Sequence, residues 1–188
     1  MKISYKQILT ASVLTLFSIH ASSALEQAGT IKLNGYIYSS TCTVDLNDQG
    51  PSMANISMGR YSTSEFGAVG TEVGGTGENG KIKVTLTDCP DNGTITLTFD
   101  GKVVDGQTSI LELDNPSAEG SAKGVGIHLY QGSETKPLTL DGSVNYSQKI
   151  EGESAGWEGT FIAKYVSTST TVTAGQANAT LNYNIIYK

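Results

Sequence analysis

Residues 175–188 read GQANATLNYNIIYK, and this stretch decides the fold. Ala177, Ala179, Leu181, Tyr183, Ile185 and Tyr187 fall on one phase, with Asn178, Thr180, Asn182, Asn184 and Ile186 on the other. A period of two over eleven residues predicts a β-strand with one apolar and one polar face. Chain ends usually fray. This one carries large apolar side chains up to its penultimate residue, so it reads as an end built for burial.

The same period recurs upstream. Ile82, Val84 and Leu86 alternate with Lys and Thr, and Ile95, Leu97 and Phe99 alternate with threonines. Val125, Ile127 and Leu129 form a third set, Phe161, Ala163 and Tyr165 a fourth. Each set predicts a half-buried antiparallel strand. Turn signals stand between them at Asp91-Asn92-Gly93, Asp100-Gly101, Asp105-Gly106 and Asp141-Gly142. The Gly-rich stretch Ser62–Gly80 reads as a long loop or irregular edge. No segment of useful length after residue 24 has a helical period, and no repeat or linker is visible. Many short strands with Gly-rich turns predict a single all-β sandwich.

The other end of the chain supplies an address. Lys2 and Lys6 precede a 12-residue, mostly apolar run from Ile8 to Ile19, and Ser22 and Ala24 are small residues at a cleavage site. Residues 1–24 therefore read as a secretory signal peptide. As a helix the run would rise only about 18 Å, short of the ~30 Å of a hydrocarbon core. Removing residues 1–24 takes away two Lys and no acid, so the formal charge moves from −6 to −8. That balance argues against a nucleic-acid partner, since no excess of Lys and Arg is present to displace phosphate counterions. In an oxidising compartment the two cysteines, Cys42 and Cys89, are expected to form a bridge, against the competing reading of two free reactive thiols.

Catalytic and cofactor chemistry finds little support. His20 leaves with the signal and only His128 remains, which excludes a multi-histidine metal site and any Ser-His-Asp triad lacking His128. His128 falls on the polar phase of its strand and is expected to face solvent. Gly75-Thr76-Gly77-Glu78-Asn79-Gly80 matches GxGxxG but precedes a strand, whereas nucleotide binding needs a following helix. Glu151, Glu153 and Glu158 around Trp157 read as a solvated acidic loop rather than a glycosidase pair. Trp157 itself reads as a core or loop anchor, with a sugar-stacking platform as the alternative. The expectation is a protein that is not an enzyme and holds no metal or cofactor.

Four features together resemble a major pilin of chaperone–usher, type 1-like fimbriae of Gram-negative bacteria. They are Gly29-Thr30-Ile31-Lys32-Leu33-Asn34-Gly35; the pair Cys42 and Cys89, the latter in Leu86-Thr87-Asp88-Cys89; Gly124-Val125-Gly126-Ile127 with Phe161-Ile162-Ala163-Lys164-Tyr165; and the end, where Gly175 is fourteenth from the C-terminus and Tyr187 penultimate. The resemblance runs from Gly29 to Lys188. It implies an incomplete immunoglobulin-like β-sandwich (the pilin fold) that lacks its last strand and is completed by a donor strand. On that reading residues 1–24 are signal, 25–35 an N-terminal donor-strand extension, and 36–188 the pilin domain.

The resemblance also implies roles. Gly29, Ile31 and Leu33 would be donor-strand residues. Gly175, Ala177, Ala179, Leu181, Tyr183, Ile185 and Tyr187 would form the strand that meets first a periplasmic chaperone and then the donor of the next subunit. The partners would be neighbouring pilin subunits in a homopolymer, the chaperone, an outer-membrane usher and a host-surface receptor. The expected function is a structural subunit of a cell-surface fimbria, polymerised by donor-strand exchange and serving adhesion. The alternative is a minor or tip adhesin that binds a host carbohydrate. Only Leu25–Ala28 precede Gly29, so the donor extension is short, and Gln27 is a poor residue for a pocket.

Overall fold

Alternating β-branched and aromatic residues make the strands, and glycines in the left-handed region break them. The computed structural model describes residues 42–89, 92–151 and 156–188. The signal and donor segments predicted for residues 1–35 lie outside these. Among the described residues eight strands run in chain order: β1 Thr43–Leu46, β2 Glu72–Val73, β3 Lys81–Thr87, β4 Gly93–Asp100, β5 Val125–Gln131, β6 Asp141–Ile150, β7 Trp157–Ser167 and β8 Asn182–Tyr187. A 3-10 turn, Thr63–Glu65, is closed by a capping box between Ser62 and Glu65.

The strands form two antiparallel sheets. In the first, the long β7 is the axis. Its first half pairs with β3, which pairs in turn with β1, and its second half pairs with β5 on one side and β2 on the other. The second sheet has the order β6-β4-β8. The four apolar sets predicted from the sequence meet between them. Phe99 of β4 and Phe161 of β7 cross edge to face with ring centroids 5.1 Å apart, and Leu97, Ile127, Leu129 and Val84 are buried around them. Leu138 and Leu140 join that core from the chain leading into β6.

A Cys42–Cys89 disulfide is present and closes the end of the β1–β3 pair, next to the Thr43–Thr87 register. Leu86, Cys89, Ile95 and Ile150 pack there as a second cluster. The stretch 62–80 is irregular, as its glycines suggest, but it contributes the two-residue β2. The segment 75–80 leads directly into β3, so GxGxxG has no helix behind it. Asp141-Gly142 opens β6 instead of making a turn, beside a register shift between Thr98 and Asp100. Among the described residues no helix is long and apolar enough to cross a membrane.

Candidate strand-acceptor site

β8 lies at the edge of its sheet. Its inner neighbour is β4, with Ile95 opposite Tyr187, Leu97 opposite Ile185, Phe99 opposite Tyr183 and Asp100 opposite Asn182. No described strand pairs with its other side. The last residue is held as firmly as the strand: Lys188 donates to Thr94 O at 3.0 Å and Thr94 N donates to Lys188 O at 2.7 Å. The Tyr187 ring lies against the α-carbon of Gly93, where a Cβ would collide with it.

The paired strand is shorter than the alternation in the sequence. The ladder stops at Asn182 because β4 ends at Asp100 and turns at Gly101, where a Cβ would meet Leu111 and Leu181. Residues 177–181 keep the same phase without β4. Asp114 holds them from the side: its N–H donates to Asn178 O at 2.7 Å, and its carboxylate accepts from Thr180 N and Oγ1 at 3.1 and 3.0 Å. Tyr165 of the opposite sheet donates to Ala177 O at 2.8 Å, and burial pushes its phenol pKa up. Tyr183 donates to Pro51 O. Nothing in the sequence marks Asp114 or Pro51, which are 66 and 132 residues from their partners.

Burial along this segment alternates throughout. Ala177, Ala179, Leu181, Tyr183, Ile185 and Tyr187 are half-buried and pack on the core, while Asn178, Thr180, Asn182, Asn184 and Ile186 are exposed. Inward residues of β4 and β7 are instead fully buried: Ile95, Leu97, Phe99 and Phe161 are each 3% exposed or less. Ala54 and Met58, in the stretch that carries Pro51, also touch the core without being engulfed by it. Gly175 begins the segment. Gln176 donates to Gly120 O at 2.7 Å and accepts from Ala122 N at 2.9 Å, so a Cβ on Gly175 would be driven into the Ser121–Ala122 peptide.

The other residues singled out from the sequence lie elsewhere. Trp157 starts β7, partly buried between both core clusters with its ring over Gly159, which is the anchor role. Glu158 pairs with Lys83 at 3.2 Å; Glu151 is exposed and Glu153 is outside the described residues. The expectation for His128 is corrected in part: it lies on the outer phase of β5 but is largely shielded from solvent. β2 brings Glu72 beside it, Nδ1 lies 2.7 Å from Glu72 Oε1, and the ring is 15% exposed. No group of three or more His, Cys, Asp or Glu is placed to hold a metal among the described residues. The residues Gly29, Ile31 and Leu33 lie outside them.

Two sheets facing each other, one of them ending on an unaccompanied C-terminal strand, define an open-edged immunoglobulin-like sandwich. Solved structures share it: a chaperone–usher pilus subunit superposes at TM-score 0.58 with 21% identity, covering 89% of this chain and all of that one. The P pilus rod subunit PapA gives 0.56 at 22%, covering 79% of this chain and all of that one. The sequence assigns the family. The fimbrial protein family model matches residues 31–188, and the chain belongs to that family. It is 32% identical to a type-1 fimbrial protein subunit of Serratia marcescens, over 97% of this chain and 99% of that protein. It is 33% identical to a probable major fimbrial subunit of Escherichia coli O157:H7, over 96% and 94%. The protein is a fimbrial subunit, and its place is the fimbria at the cell surface.

Proposed function

We propose that the chain is a shaft building block that polymerises by donor-strand exchange, and that the resulting fibre serves adhesion. The single observation that carries this is the half-burial of one apolar phase from Ala177 to Tyr187 along a sheet edge that no described strand covers. A strand laid there would gain main-chain hydrogen bonds from the edge and register from the alternate side chains. The N-terminal segment 25–35 offers such a strand, with Gly29, Ile31 and Leu33 on one phase. A chaperone strand would occupy the same edge before assembly and an outer-membrane usher would deliver the subunit. The contact is head to tail, so it propagates as a filament. Residues 1–24 are removed on export in this reading. The shaft reading is supported by the names of its relatives, a type-1 fimbrial protein subunit and a probable major fimbrial subunit.

The test separates folding from assembly. Ile31→Asp would place a charge in an apolar pocket of the preceding subunit, whereas Lys32→Asp lies on the opposite phase. Ile31→Asp should retain the chaperone complex yet abolish heat-resistant multimers on denaturing gels and fibres by electron microscopy, while Lys32→Asp assembles. Equal assembly of the two variants contradicts the donor phase.

A further inference from the structure

The face of the second sheet that turns away from the core carries a charge pattern along its strands. Cross-strand pairing sets four rows on it. At one end Lys149 of β6 and Lys188 flank Thr94 of β4; at the other Asp141 of β6 and Asn182 of β8 flank Asp100. The two rows between, centred on Thr96 and Thr98, hold no charge. Their side chains are joined across the strands: Thr98 Oγ1 donates to Asn145 Oδ1 at 2.6 Å, and the Thr96 and Ser147 hydroxyls lie 3.3 Å apart. Ile186, beside Thr96, is a large apolar residue left 41% exposed. An uncharged middle thus lies between a basic and an acidic pole.

The poles are not spent within the chain. On the first sheet the outward lysines are paired, Lys83 with Glu158 and Lys164 with Glu72. Lys149, Lys188 and Asp100 enter no ion pair among the described residues. Lys102, two residues beyond Asp100, is taken by Glu112 at 2.6 Å and leaves the acidic pole unopposed. Ser143 N and Oγ donate to Asp141 at 3.0 and 2.5 Å and hold its carboxyl below the usual range, so that pole stays charged. The carboxylate that ends the chain at Lys188 offsets part of the basic pole, which leaves Lys149 as its main charge. Two copies of a chain with formal charge −6 repel one another in general. This face is the exception. A two-fold axis across the strands, in the plane of contact, sets two such faces antiparallel with each basic pole over an acidic one and the Thr96 row over the Thr98 row. The same axis turned along the strands would stack like poles, so charge selects the orientation. Thr94 and Asp100 stand about 20 Å apart along β4, and with side chains the three strands are about 15 Å wide. A pair of faces buries about 600 Å² in all, half the ~1,200 Å² at the low end of stable interfaces. One pair is therefore weak, but subunits held in line along a fibre meet many partners at once in a second fibre.

We propose that this face pairs two-fold with the same face on a subunit of a neighbouring fibre, and so holds fimbriae side by side. The inference needs only that subunits are arrayed in a fibre, whichever contact joins them, so single fibres that never pair would refute it and leave strand exchange standing. The test is low-speed sedimentation and electron microscopy of purified fimbriae, and wild-type fibres should sediment as bundles. Asp100→Lys lowers the net negative charge, and with it the general repulsion, yet cancels the acidic pole; it should cut the sedimented fraction at least tenfold. Glu134→Lys, the same charge change in the exposed turn after β5, should bundle at least as well as wild type. Lys149→Glu should also leave fibres single. Mixing the Asp100→Lys and Lys149→Glu fibres restores one of the two pole contacts in each pair and should restore bundles that neither forms alone. Carbodiimide, which couples an amine to a carboxylate only in direct contact, should link Lys149 to Asp100 or Asp141 in wild-type bundles. Lys149 is about 20 Å or more from both within one chain, so that link joins two copies, and it decides the question even where a variant forms no fibres. Wild-type fibres that stay single, Asp100→Lys fibres that bundle like Glu134→Lys fibres, mixed variants that stay apart, or Lys149 linked only to other carboxylates each overturns the proposal.

Discussion

Gly175→Ala tests whether the terminal segment is anchored as the geometry indicates. The added Cβ has no room, because the Ser121–Ala122 peptide and Gly120 O already occupy its position. Residue 175 must withdraw and carry its neighbours with it. Three hydrogen bonds are then exposed: Gln176 N to Gly120 O at 2.7 Å, Ala122 N to Gln176 O at 2.9 Å, and Tyr165 Oη to Ala177 O at 2.8 Å. At about 1 kcal/mol net for each, their loss totals about 3 kcal/mol. Gly67 is the control, since a Cβ added there would only touch Thr71 Oγ1 at 3.4 Å and its φ is not positive; Gly67→Ala should fall within ~0.5 kcal/mol of wild type. Urea unfolding of the purified subunit, followed by Trp157 fluorescence, gives both values. A Gly175→Ala subunit as stable as Gly67→Ala would refute the close-approach argument, and with it the reason a glycine opens this segment.

Three further outcomes are expected. Combined Ile185→Ala and Tyr187→Ala should prevent recovery of a chaperone complex from the periplasm. Tyr187 alone should cost about 2 kcal/mol, below the ~3–5 kcal/mol of a fully buried aromatic because it is only half-buried; normal co-purification of the double variant would contradict the site. Burial pushes Glu72 up, but hydrogen bonds from Tyr130, His128 and Lys164 more than offset it, leaving its pKa below the ordinary 4.5. A depressed carboxylate stabilises the fold above that value and loses its contribution as pH falls through the folded one, so Glu72→Gln should flatten the decline in unfolding free energy measured below pH 4.5. Mass spectrometry of the periplasmic protein should find Leu25 at the N-terminus and no alkylatable thiol.

The parts of the fold that are legible in the sequence are those in which one face is buried and the other wet. β3, β4, β5 and β7 carry three inward apolar residues each at period two, and burial enforces that phase. β6 has no such signature because it is an edge strand: in Asp141–Ile150 only Tyr146 and Ile150 are large residues that reach the core, and the residues between Asp141 and Ile150 are otherwise exposed. The phase of the C-terminal segment is legible for all eleven residues, but the end of its ladder depends on where β4 turns, a tertiary fact. His128 departs from its expectation for a similar reason. Period two places it outward correctly, yet shielding comes from Glu72, 56 residues away on a two-residue strand within a Gly-rich loop. Asp114, likewise, is one acid among many until folding places it against Thr180.

The chemistry of the sheet edges bears on why assembly would use β8 and no other strand. Exposed edges invite unwanted pairing, and proteins blunt them with charge, proline, bulges or brevity. β6, the opposite edge of the same sheet, has Asp141 and Lys149 at its ends and an irregular register against β4. β1 is four residues long, carries Asp45 and soon meets Pro51. β2 has only two residues. From Ala177 to Tyr187 there is no charged residue and no proline; the outward positions are Asn, Thr, Asn, Asn and Ile, which neither repel an incoming strand nor interrupt its hydrogen bonds. β5, the remaining edge, is bridged by Leu111, which donates to Ile127 O at 2.9 Å and accepts from Ile127 N at 3.0 Å. An edge that is long, neutral and apolar on its inner face, beside others that are blunted or bridged, fits the proposed strand acceptor. The same residues that complete the core would then be those that join subunits, so a chain whose edge is unfilled should be both less stable and more prone to aggregate than one whose edge is occupied.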